Sequence, residues 1–98
     1  MKPRLIWDEA KRLTNLAKHG LNFTDATWVL ESDIRYDVIS RRNGEERIQS
    51  FAYVFGRLAV LTLVHMARDD AARIISFRPA SEQESETYYE WLENPDES

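Results

Sequence analysis

The spacing of apolar residues along the chain changes its period from helix to strand and back to helix. Ala10, Leu13, Leu16 and Ala17 recur at helical spacing, which predicts an amphipathic helix from Asp8 to about Lys18 with those four on its buried face. Asp8 suits the N-cap, Lys18 and His19 suit the negative end of the helix dipole, and Gly20 suits the left-handed residue that ends it. Arg4 to Trp7, just before, reads as a short strand. Thr24 predicts the N-cap of a second helix, with Phe23 and Trp28 at hydrophobic-staple spacing. Asp33 to Glu46 is polar, and Tyr36, Val38 and Ile39 suit an edge strand within it. From Arg47 the pattern is β: Arg47–Phe55 and Leu58–His65 flank Gly56-Arg57 as a hairpin. Leu58–Val64 is apolar on both alternations, as a central strand requires. Arg68-Asp69-Asp70 marks a turn, Ala72–Phe77 a further strand, and Pro79 its end. Ser81-Glu82-Gln83-Glu84 forms a capping box that opens a last helix with Tyr88, Trp91 and Leu92 as its buried stripe. The order predicts an α+β domain, a small antiparallel meander sheet covered by two N-terminal helices and one C-terminal helix.

Length and composition narrow this further. Ninety-eight residues make a single domain, 1–98, large enough to bury a core without disulfides or metal. Cysteine is absent, which excludes thiol catalysis and Cys-ligated zinc. The longest apolar run, Leu58 to Val64, is too short to span a bilayer, and a cytoplasmic protein with no membrane contact is expected. The formal charge of −4 hides an asymmetry: residues 1–78 hold all 13 Lys and Arg against 10 acids, whereas residues 79–98 hold seven acids and no Lys or Arg. A mildly basic body therefore carries an acidic C-terminal helix and tail.

The basic body holds the candidate chemistry. Lys11, Asn15 and Lys18 fall on one stripe of the first helix, a pattern that suits phosphate binding or an ordinary solvated face. His19 has an unperturbed pKa near physiological pH and lies beside Lys18, where it serves either as a helix-terminal cation or as a reactive group. His65, on an apolar strand face, reads as a satisfied sheet residue, and two histidines without cysteine give weak support for a metal. Arg47, Arg57, Arg68, Arg73 and Arg78 all fall in the predicted hairpin, the next turn and the third strand, so antiparallel pairing can gather several guanidiniums. Such a cluster needs an anion to answer it, or carboxylates such as Glu45 and Glu46.

These residues lie in a recognisable order. Trp7-Asp8-Glu9-Ala10-Lys11, Asn15, Lys18-His19-Gly20, Phe23 and Ala26 are followed by Gly44-Glu45-Glu46-Arg47, Gly56-Arg57-Leu58, Arg68 and Arg73-Ile74-Ile75-Ser76-Phe77-Arg78-Pro79-Ala80. The series resembles the BrnT family of toxins from bacterial type II toxin–antitoxin systems, over roughly residues 5–90. The resemblance implies a RelE-like fold and RNA as substrate. It also implies a ribbon-helix-helix antitoxin, BrnA-like, that neutralises the toxin, contacts operator DNA and represses the operon with it; a homodimer within that complex is a further possibility. Metal-free RNA cleavage needs a base for the 2′-hydroxyl, an acid for the leaving 5′-oxygen and cations for the phosphorane. On that reading Arg47 and Arg68 stabilise the phosphorane, His19 or a desolvated Glu46 is the base, and Lys18 is the acid only if its neighbours lower its pKa by several units from about 10.4. Lys11, Arg73 and Arg78 hold the RNA backbone, no metal or cofactor takes part, and the acidic helix lies away from the substrate. The competing class is a catalytically inactive toxin-fold module whose arginines grip a protein.

Overall fold

A computed structural model describes residues 3–94, and what was expected of residues 1–2 and 95–98, including Asp96 and Glu97 of the acidic tail, lies outside them. Five strands, β1 (Arg4–Ile6), β2 (Tyr36–Arg42), β3 (Glu45–Val54), β4 (Ala59–Arg68) and β5 (Ala71–Pro79), form one sheet in the order β1-β5-β4-β3-β2. The meander β2 to β5 is antiparallel as expected. The sheet as a whole is mixed, because β1 pairs parallel with β5 through Arg4↔Ala71 and Ile6↔Arg73. A parallel neighbour needs a long crossover, and everything from α1 to β4 supplies it.

Helix α1 (Glu9–His19) begins and ends as its sequence dictates. Asp8 accepts from the Ala10 and Lys11 amides, and Gly20 closes the helix at φ 70°. Its buried face is not the apolar one, however. Leu13 is 53% exposed and Ala10 and Ala17 are exposed, while Asn15 is buried. The reason lies at the sheet edge. Beyond the short β1, Phe77 of β5 is paired with β4 on one side only, and on the other the Asn15 amide takes a strand's place. Asn15 accepts from the Phe77 N–H (3.1 Å) and donates to the carbonyls of Phe77 (2.7 Å) and Leu21 (3.0 Å). A satisfied backbone edge outweighs the burial of one leucine.

The second helix is shorter than expected and broken. Asn22, not Thr24, is the cap, accepting from the Thr24 amide of a 3-10 turn at Phe23–Asp25, and a single-turn α2 (Thr27–Leu30) follows. Phe23 meets the ring of Trp7, and Trp28 meets Phe77. The first two hairpin turns hold positive φ at Asn43, Gly44 and Leu58. Asn43-Gly44 is the two-residue pair that left-handed hairpins favour, and it turns β2 into a full edge strand.

The sheet has a core on each side. Leu21, Phe23, Ala26 and Val29 pack on Ala52, Leu61, Leu63, Ile74 and Phe77 of the first face. On the second face Phe51 and Val60 pack against Tyr88 of α3 (Glu82–Glu93), with Tyr36 and Trp91 beside them, their rings stacked 5.0 Å apart. The Ser81–Glu84 capping box forms as expected. Tyr88 is fully buried and its hydroxyl donates to Ile34 O (2.7 Å) and accepts from Tyr53 N (3.2 Å); Leu92, expected in the stripe, is 37% exposed. Among the described residues no helix is long and apolar enough to cross a membrane.

Candidate functional site

Strand alternation sorts the basic residues between the two faces. Phe51 and Val60 lie under α3, so Arg47 and Gln49 of β3 and Thr62, Val64, Met66 and Arg68 of β4 share that second face. Arg73 is paired with Met66, and Arg47 lies one residue beyond the Ile48↔His65 pair, on the other side of Met66. Arg68 is two residues from Met66 and diagonal to Arg73, since its own partner is Ala71. Three guanidiniums therefore surround one methionine, with Arg47 and Arg73 two strand spacings apart, about 10 Å. The row beside them is Gln49, Val64 and Ser76. α3 covers only the far end of this face, so the three arginines lie beyond it.

None of the three has an ion pair among the described residues. Arg47 is the sharpest case, because its Nε is buried and without a partner. Leaving a buried donor unanswered costs about 1–3 kcal/mol, more for a charged group.

Arg78 has a different fate. Glu84 of α3 takes both its terminal nitrogens, at 2.8 and 2.9 Å, and also accepts from Thr62 Oγ1 and the Ser81 amide. The guanidinium holds the Glu84 carboxyl at about 2, far below its ordinary value. The acidic helix thus packs on the same sheet face as the arginines, at its far end from Arg47, Arg68 and Arg73. Its N-terminal carboxylate is a buttress for β5, and Arg78 is committed to it.

α1 brings the remaining candidates to the adjoining edge. A groove of about 460 Å³ runs between α1 and β5, lined by Lys11, Thr14, Lys18, His19, Ile75 and Ser76 among others. Ile75 sits in a β-bulge, where the register shifts between Val64↔Ser76 and His65↔Ile74. His19 is half-buried, and burial, then the charges of Lys18 and Arg78, push its pKa below the ordinary value. It is therefore neutral at pH 7 and able to accept a proton. Lys11 and Lys18 are exposed.

Glu46 is not brought to the site. It occupies the opposite alternation from Arg47, is exposed rather than desolvated, and pairs with Arg41 at 3.4 Å. Asn15 lines the same groove as Lys11 and Lys18, as the stripe predicts, while its amide is engaged at the sheet edge. Gln49 and Ser76 were missed, although Gln49 stands two residues from Arg47 and strand alternation alone places the two side by side.

The comparison with protein families converges on the same stretch. The model described as the ribonuclease toxin BrnT of type II toxin–antitoxin systems matches residues 7–84. The chain belongs to the BrnT family. No curated protein matches it. The matched span runs from Trp7, ahead of the Asp8 cap, to Glu84, the buttress of Arg78, and so contains every basic residue of the arginine face and its groove. The family is described as a ribonuclease toxin of type II toxin–antitoxin systems, which implies an antitoxin partner.

Proposed function

We propose that this chain is an endoribonuclease toxin, on a RelE-like fold, that cleaves RNA without a metal and binds it across the second face of the sheet. The observation that carries the reading is the grouping of Arg47, Arg68 and Arg73 around Met66 on one sheet face, with no ion pair among the described residues. Guanidiniums stay protonated and grip phosphate oxygens in pairs, so Arg47 and Arg73 hold the scissile phosphate and its phosphorane. Arg68, exposed at the end of β4, joins them at the rim. His19, neutral at pH 7, takes the 2′-hydroxyl proton at the groove, and Lys18 beside it supplies the proton for the leaving 5′-oxygen. Lys11 tethers the backbone along α1. Arg78 positions β5 through Glu84 and touches no substrate. Gln49 and Ser76 supply neutral donors between the charged rows.

The same reading gives the chain its partners. A BrnA-like ribbon-helix-helix protein neutralises it in the cytoplasm, and the complex sits on its own operator through that protein's DNA-binding region. The test is to incubate purified chain with RNA, with and without a chelator, beside Arg47→Ala and Arg73→Ala. Cleavage that survives chelation and drops by about 10²–10³ in each variant supports the reading. RNA left intact by the unmodified chain, or cut equally by the variants, refutes it and leaves a protein-binding module.

A further inference from the structure

The first face of the sheet ends in a cavity that the nuclease reading does not use. It encloses about 870 Å³ at the β4–β5 turn, with Leu5, Leu30, Ile48 and Ala71 among its walls. His65 lines it, and that residue is 4% exposed. The polar network behind His65 fixes what the ring offers. Arg35 binds Asp37 through two nitrogens, each at 2.8 Å, and Ser50 donates its single hydroxyl hydrogen to Asp37 Oδ1 at 2.6 Å. Ser50 Oγ, 2.8 Å from His65 Nε2, is then left to accept, so Nε2 carries the proton. Nδ1 bears the lone pair and has no partner among the described residues, on a ring that lines the cavity. Burial and the nearby Arg35 push the pKa of His65 down to about 4, so the ring stays a neutral acceptor at pH 7. At the rim stand Asp69 and Asp70, the latter within 3.9 Å of the exposed Arg4 guanidinium, while Arg35 is already spent on Asp37.

A largely apolar cavity with one buried acceptor and acidic lips asks for an apolar side chain that carries a donor, on a basic backbone. RNA fits poorly, because its phosphates would face Asp69 and Asp70. We infer that this cavity anchors a peptide segment of the antitoxin, a Trp or Tyr side chain seated against His65 with Lys or Arg beside it facing Asp69 and Asp70. The inference rests on the toxin reading for the presence of an antitoxin. It adds that the partner grips the face opposite the arginines, leaving Arg47 and Arg73 outside this contact.

The experiment is an NMR titration of the full, isotope-labelled chain with the peptide acetyl-Lys-Lys-Trp-Lys-Lys-amide. Saturable shifts centred on Ile48, His65, Ala67 and Ala71, with the His65 Nδ1 resonance moving, support the proposal. So does affinity about tenfold weaker for the peptide with Ala in place of Trp, and severalfold weaker for the Asp69→Asn/Asp70→Asn double variant. Ala67→Trp, which fills the cavity from an exposed position, abolishes the shifts while RNA cleavage stays as it was. No shift at His65 up to millimolar peptide overturns the inference, as do shifts centred on Glu82, Glu86 and Glu90 of α3 or a 12-nucleotide RNA that perturbs the cavity instead. The titration reads out whether or not the chain cuts RNA, so failure of the nuclease reading is seen separately.

Discussion

The two faces of the sheet treat charge in opposite ways. On the first face every buried polar group described here has an answer, or a cavity in front of it: Asn15 completes the edge of β5, and Arg35, Asp37, Ser50 and His65 form one chain of hydrogen bonds. On the second face α3 answers Arg78 and stops, and Arg47, Arg68 and Arg73 are left with none. On the proposed reading an anion answers these three guanidiniums. The contrast sets polar residues answered within the fold against those that, on that reading, serve a partner.

Substitutions on the answered face should cost stability. Asn15→Ala strands the Phe77 N–H and two carbonyls in the interior, so unfolding free energy should fall by about 3 kcal/mol in urea titration. A loss under 0.5 kcal/mol would show that the edge of β5 has another partner. His65 gives a pH signature of similar size. Its folded pKa of about 4 lies below the unfolded value, so the unfolded chain binds the extra proton as pH falls. The neutral ring's contribution is complete above about pH 6.5 and is lost as pH falls towards 4, a change of up to about 3 kcal/mol. His65→Phe should flatten the stability profile across that window, and an unchanged profile would place its cause elsewhere. On the second face, Glu84→Gln keeps the capping hydrogen bonds but weakens the clamp on a partly exposed Arg78. Stability should fall by about 1 kcal/mol after allowance for solvent screening. RNA affinity should fall modestly as β5 loses its buttress, and a rise in affinity would mean that Arg78, once released, binds substrate itself.

How far the sequence reveals these roles depends on whether they follow a local rule. Asp8, Gly20 and the Ser81–Glu84 box were legible because a cap needs only its own turn. The strands from Arg47 onward were legible from alternation. β1 beside β5 was not, since parallel pairing joins residues more than sixty positions apart with no local mark. The burial of Asn15 over Leu13 was hidden for the same reason: the demand came from Phe77, at the far end of the chain. At the site, alternation from Arg47 was enough to exclude Glu46 and admit Gln49, once register was taken as seriously as residue type. The convergence of Arg47 and Arg73 needed the order of three strands, and the capture of Arg78 needed the path of α3 across them.

Two arginines six positions apart, Arg47 and Arg41, isolate the central claim. Arg47 is half-buried with an unanswered Nε, whereas Arg41 is exposed on the other alternation and paired with Glu46. The measurement is the rate of RNA cleavage by Arg47→Ala against Arg41→Ala, with both variants checked for folding by circular dichroism. The account predicts a loss of about 10²–10³ for Arg47→Ala and a change of less than about threefold for Arg41→Ala. Equal rates for the two would contradict it.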